Sequence, residues 1–100
     1  MKMPYFDTVI HAPNRLQICA FLAPLEEAEF KVLRQELDVS DSVLSKHIRQ
    51  LEEAGYVKQR KIAVDGRQRT WASLTKTGRM AFEQHVEELK RLVLFQTNER

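Results

Sequence analysis

The chain lacks what several protein classes require. Its 100 residues include a single cysteine, Cys19, so no intrachain disulfide can form and a disulfide-stapled scaffold is excluded. Only three glycines occur, each assignable to a cap or a turn, which leaves no glycine-rich loop to cradle a phosphate. The longest apolar run, "ICAFLAPL", is too short to cross a bilayer and contains Pro24. The opening "MKMPYFDTVIHAPN" lacks the continuous apolar stretch of a secretion signal. His11, His47, His85 and Cys19 are scattered, whereas a metal centre needs clustered ligands; Asp7 and His11, four apart, have no third or fourth partner. No nucleophile–base constellation or paired-acid motif is present. These absences point away from catalysis, from a metal or other cofactor and from a membrane partner, and toward a soluble cytoplasmic protein.

An apolar fraction of 43% suits an ordered globule, and the length suits one domain over residues 1–100. The net charge of +2 is small but unevenly spread. Residues 1–45 carry four basic and seven acidic side chains, residues 46–69 seven and three, and residues 70–100 five and four. One selectively basic third suggests a polyanion as partner, because local potential matters more than net charge.

The pattern along the chain predicts helix, helix, helix, helix, hairpin, helix. "PYFDTVIH" reads as a short first helix that ends before Pro13. Proline suits the first turn of the next helix, about 13–23, which is apolar on nearly every side and so belongs in the core or an interface. Phe30, Leu33 and Leu37 recur at helical spacing and give an amphipathic helix near 30–37. Ser40 is the expected N-cap of the helix that follows, with Leu44, Ile48 and Leu51 as its apolar stripe and Gly55 just past its end. Two segments rich in β-formers flank Asp65-Gly66, a strong hairpin signal. Thr75 then caps a last helix, about 76–96.

Two short helices joined by a brief turn make a helix-turn-helix. Wound at 100° per residue, the second places Ser42, Lys46 and Arg49 within about 60° of one another and opposite its apolar stripe, with Ser45 at the edge. Short hydroxyls near the helix start permit close approach to a major groove, and Lys or Arg then reaches a phosphate or a guanine edge. The hairpin adds Lys58, Arg60, Lys61, Arg67 and Arg69, with Asp65 as its one acid. Like charges this dense destabilise a sheet, yet they suit a ribbon beside the negative minor groove. A solvated helix face and edge-strand protection would account for each half separately. Trp71 is expected to pack against the helices.

The stretch "FKVLRQELDVSDSVLSKHIRQLEEAGYVKQRK…DGRQRTWASLTKTGRMAFEQHVEELKRLV" resembles the winged helix-turn-helix of small bacterial and archaeal transcriptional regulators, the MarR-like and ArsR-like repressors. The resemblance spans about residues 10–93. It implies a mainly α fold with a β-hairpin wing: a helix-turn-helix at about 30–54, a recognition helix over 41–54 and a wing at about 56–74, followed by the last helix at about 76–96. Asp38 stands where the interhelical turn often has glycine, and aspartate tolerates left-handed backbone geometry.

On the last helix Phe82, His85, Val86, Leu89, Leu92 and Val93 form a broad stripe, and "LVLF" at 92–95 points in too many directions for one face. A domain this size has little interior for that excess. A homodimer is therefore expected, with those residues and Phe95 in its interface and the N-terminal segment beside them. It would present two recognition helices to a pseudo-palindromic operator in double-stranded DNA. The alternative is a winged-helix module whose basic ribbon meets an acidic protein. No small-molecule effector is named by the residues.

Overall fold

The computed structural model describes the backbone of residues 6–98 and the side chains of residues 6–94. Its elements are α1 (Thr8–His11), α2 (Pro13–Leu22), β1 (Ala28–Glu29), α3 (Phe30–Leu37), α4 (Asp41–Glu53), β2 (Val57–Val64), β3 (Arg67–Leu74) and α5 (Lys76–Asn98). The expected helices all form, and the last four keep nearly the expected bounds; the first is shorter than "PYFDTVIH" suggested, since Phe6 and Asp7 precede it and residues 4 and 5 lie outside the described residues.

Local chemistry explains their ends. Asp7 caps α1, its Oδ1 accepting from the Val9 and Ile10 amides at 2.9 and 3.2 Å. Ala12 is extended (φ −61°, ψ 136°), as the residue before a proline prefers, so the chain breaks there and Pro13 opens α2. Asp38 ends α3 in the left-handed region at φ 53°, the geometry a short acid tolerates. Ser40 Oγ then accepts from the Val43 amide at 3.2 Å and starts α4. Three residues, 38–40, separate the two helices.

The core forms where these helices meet. Ile18, Cys19 and Leu22 of α2, Leu33 of α3, and Leu44, Ile48 and Leu51 of α4 are at most 1% exposed. Burying each large aliphatic chain stabilises the fold by about 1.5–3 kcal/mol. Three such residues on one stripe of α4 fix its rotation about its own axis, and that turns Ser42, Lys46 and Arg49 outward.

β2 and β3 form the expected hairpin, Val57 opposite Leu74 through Val64 opposite Arg67. Asp65 and Gly66 both have positive φ, 51° and 76°, as a tight primed turn demands. A third strand was not expected. Ala28 and Glu29, in a stretch to which no element was assigned, pair with Ala72 and Trp71, giving the sheet order β1-β3-β2. Two residues carry no alternation to read, so β1 exists only through its partner. Strand pleating sends Ala28, Val57, Ala72 and Leu74 to the helix side, where all are buried, and the residues between them to the other side.

Thr75 starts α5 as expected: its Oγ1 accepts from the Gly78 amide at 2.9 Å and donates to the Gly55 carbonyl at 2.6 Å. Gly78 departs from the expectation for glycines. It serves neither cap nor turn; a Cβ there would lie 2.0 Å from the Tyr56 carbonyl oxygen, so the residue is glycine because helix and loop backbones touch. That same carbonyl accepts from the Thr75 amide at 2.9 Å, and the Tyr56 hydroxyl donates to Asp7 Oδ2 at 2.6 Å. One residue thus ties the chain's beginning, the end of α4 and the start of α5.

Candidate nucleic-acid interface

The outward face of α4 is built as its spacing predicted. Ser42, Lys46 and Arg49 are exposed and Ser45 is half-buried. Lys46 and Arg49 have no ion-pair partner among the described residues. Ser42 Oγ lies 3.2 Å from Ser40 Oγ. Asp41, the acid nearest this face, is held by Arg34 at 2.8 Å, which offsets its charge. Val43, 37% exposed, is an apolar neighbour of this polar face that helical spacing alone does not single out. It lies outside the core stripe beside Ser42, and an exposed methyl-bearing side chain there can meet a thymine methyl.

The flank of α4 is braced from α2. Arg15 donates to Gln50 Oε1 at 2.6 Å and to the Val9 carbonyl, and its guanidinium lies 3.4 Å from His47 Nδ1. Asn14 Nδ2 stands 3.3 Å from His47 Nε2. Burial and the nearby Arg15 charge hold the His47 pKa below its ordinary value, favouring the neutral ring. His47 is therefore a bonded support beside the core stripe of α4.

The wing follows α4 directly. Gln59 of β2 donates to Glu52 of α4 at 3.1 Å, so Gln59, and with it Lys61 two residues on, lies on the α4 side of the ribbon. Lys58, Arg60, Arg67 and Arg69 belong to the opposite face. Two of these cations have internal partners. Arg60 grips Glu27 through two nitrogens, Nε at 2.9 Å from Oε2, which lowers the Glu27 pKa. Arg69 Nε sits 3.9 Å from Glu29 Oε2. Glu27 precedes and Glu29 belongs to β1, the strand that the sequence pattern did not reveal. Arg60 was expected on DNA; it is instead committed to Glu27 and to Trp71, with its guanidinium 5.8 Å from the ring centre. Trp71 was expected against the helices; it is half-buried on the other side of the sheet, because Ala72 takes the core-facing position. Lys58, Lys61 and Arg67 are exposed without an ion-pair partner among the described residues.

The stripe expected on α5 splits in two. His85 is 1% exposed: its Nε2 lies 3.2 Å from His11 Nδ1, and the Phe6 ring packs edge-on to it. His85 is thus an internal residue and not an interface one, since α1 already covers it. Glu88 is buried beside it and Leu92 half-buried. About 100° around the helix, Phe82, Val86, Leu89 and Val93 form a second apolar face. Phe82 packs partly on the core, while Val86, Leu89, Val93 and Leu94 line a shallow hollow of about 420 Å³. The Phe95 side chain and residues 1–5 lie outside the described residues. Among the described residues no His, Cys, Asp or Glu cluster could hold a metal ion, and no helix is long and apolar enough to cross a membrane.

A helix-turn-helix with a three-residue turn, a hairpin wing and a three-stranded antiparallel sheet define the winged-helix class of transcriptional regulators. Residues 14–93 match the family described as "Winged helix DNA-binding domain", and the chain belongs to that family. An uncharacterized protein of Methanocaldococcus jannaschii is 36% identical over 90 residues, covering 90% of this chain and 94% of its own. The structure of a transcriptional regulator homologue from Pyrococcus horikoshii OT3 superposes with a TM-score of 0.82 at 33% identity, covering 87% of this chain and 86% of that one. A regulator of the MarR family from Enterococcus faecalis V583 shares the fold, with a TM-score of 0.74 at 19% identity over 92% of this chain and 82% of that one.

Proposed function

We propose that the chain is a cytoplasmic, sequence-specific DNA-binding repressor that works as a homodimer, its whole length serving as one DNA-binding and pairing domain. The observation that carries this reading is the outward face of α4, whose hydroxyls and cations stand clear of internal ion pairs beside a wing with further exposed cations. In this reading α4 enters the major groove, with Ser42, Ser45 and Arg49 nearest the base edges and Val43 available to a thymine methyl. Lys46 and Lys58 take phosphates, and Lys61, Arg67 and Arg69 meet the minor groove or its phosphates. Two copies pair through Val86, Leu89 and Leu94, which line the apolar hollow on the second face of α5. Occupying a pseudo-palindromic operator then blocks transcription by exclusion.

The test is binding to a random duplex and to sequences selected from a random pool. Arg49→Ala is expected to cost about 1–3 kcal/mol on the selected site and much less on random duplex. Lys61→Ala should weaken both alike. Equal losses on both duplexes for Arg49→Ala would remove its base-reading role, and no binding to any duplex at low salt would remove the function.

A further inference from the structure

A second cationic site lies away from α4. β1 covers β3 only at Ala72 and Trp71, so the outer edge of β3 from Thr70 back to Arg67 has no strand neighbour among the described residues. The start of α3 stands there instead. Between them is a groove of about 340 Å³ lined by Glu29, Lys31, Arg67, Gln68, Arg69 and Thr70. Three cations thus face one carboxylate. That carboxylate is poorly engaged: Glu29 Oε2 is 3.9 Å from Arg69 Nε, beyond the 2.7–2.9 Å of a charge-assisted hydrogen bond. The neighbouring Arg60–Glu27 pair, at 2.9 Å, shows the same ribbon face making a close pair when the geometry allows. Lys31 and Arg67 are exposed and have no ion-pair partner among the described residues.

We infer that this groove is a seat for a DNA backbone phosphodiester, bound by Lys31, Arg67 and Arg69, with Glu29 as the internal anion that the phosphate displaces. The inference rests on the DNA-binding reading above and adds to it a contact from α3 and an acid that opposes binding. The partner is DNA rather than an acidic protein because the cations lie on both faces of the ribbon: Lys61 on the α4 side, Arg67 and Arg69 on the other. A narrow ribbon charged on both faces suits a minor groove about 6 Å wide, walled by phosphates on either side. Removing the Glu29 charge without changing its shape should strengthen binding, and removing Lys31 should delete one counterion-releasing contact.

The experiment measures Kd on a random-sequence duplex at about 50 and about 200 mM salt for the full chain, Lys31→Ala, Glu29→Gln and Glu36→Gln. Glu36 is an exposed acid on another face of α3 and controls for net charge. Each phosphate contact changes log Kd by about 0.9 per decade of salt. Lys31→Ala should therefore shrink the ratio of the two Kd values about 3.5-fold. Glu29→Gln should bind more tightly than Glu36→Gln and show a steeper salt dependence. If the full chain binds duplex but Lys31→Ala keeps the original ratio, or if Glu29→Gln and Glu36→Gln behave alike, the seat is overturned and the DNA-binding reading stands. If the full chain binds no duplex at low salt, both fall together.

Discussion

Replacing Gly78 by alanine should destabilise this protein, although alanine is the better helix former. Within α5 the substitution gains about 1 kcal/mol of helix propensity. Against that, the new Cβ would sit 2.0 Å from the Tyr56 carbonyl oxygen and still closer than 3.0 Å to two further Tyr56 backbone atoms. Backbone on both sides cannot rotate away like a side chain, so α5 and the Gly55–Tyr56 loop must separate by about 1 Å to reach even a tight contact. Overpacking of this kind costs about 3 kcal/mol at the upper end of its usual range. The Thr75 amide bond to the same carbonyl is lost with it, for about 1 kcal/mol. The net loss is about 3 kcal/mol, or a Tm lower by about 12–24 °C for a domain of this size. Gly66→Ala is the comparison, because a Cβ there meets nothing within 4 Å and pays only for left-handed geometry, about 1–2 kcal/mol. Thermal unfolding followed by circular dichroism at one fixed protein concentration measures both, since self-association makes Tm concentration-dependent. A Tm for Gly78→Ala at or above that of Gly66→Ala would refute the close-approach argument.

Three further outcomes are expected. Val86→Arg with Leu89→Arg should give monomers by light scattering and weaken operator binding; an unchanged mass would refute the pairing face. Burial, with a smaller contribution from Asp7, pushes the Cys19 thiol up to about 12, so a thiol reagent near neutral pH should modify the protein only as fast as it unfolds; rapid labelling under native conditions would contradict the burial. The folded-state pKa values of His47 and His85 are lowered, in both cases chiefly by burial. Their neutral forms thus favour the fold above the ordinary histidine pKa of about 6.5, and that stability declines as pH falls below it. A urea midpoint that does not move between about pH 7 and about pH 5.5 would count against this.

The parts of the fold legible in the sequence are those with a local signal. Apolar spacing gave α3 and α4 their bounds, Ser40 and Thr75 supplied caps, and Asp65-Gly66 marked the wing. The exposed face of α4 follows from the same spacing, because three core residues fix its rotation. What escaped notice depends on distant partners. β1 is two residues long and exists through Ala72 and Trp71, and with it went the acids that answer Arg60 and Arg69. His85 sits within an apolar stripe on α5, yet only α1 decides that it is internal. Gly78 passes for one more cap or turn glycine until Tyr56 is brought against it.

The junction at Tyr56 bears on how a paired molecule would measure DNA. Because α5 meets the Gly55–Tyr56 loop that follows α4 backbone against backbone, the joint between α5 and α4, the helices proposed to pair the copies and to read the groove, has little slack. Two copies would act as a caliper of fixed opening, suited to half-sites one helical turn apart. Inserting or deleting a single base pair between those half-sites would then be refused, where a hinged protein would adjust.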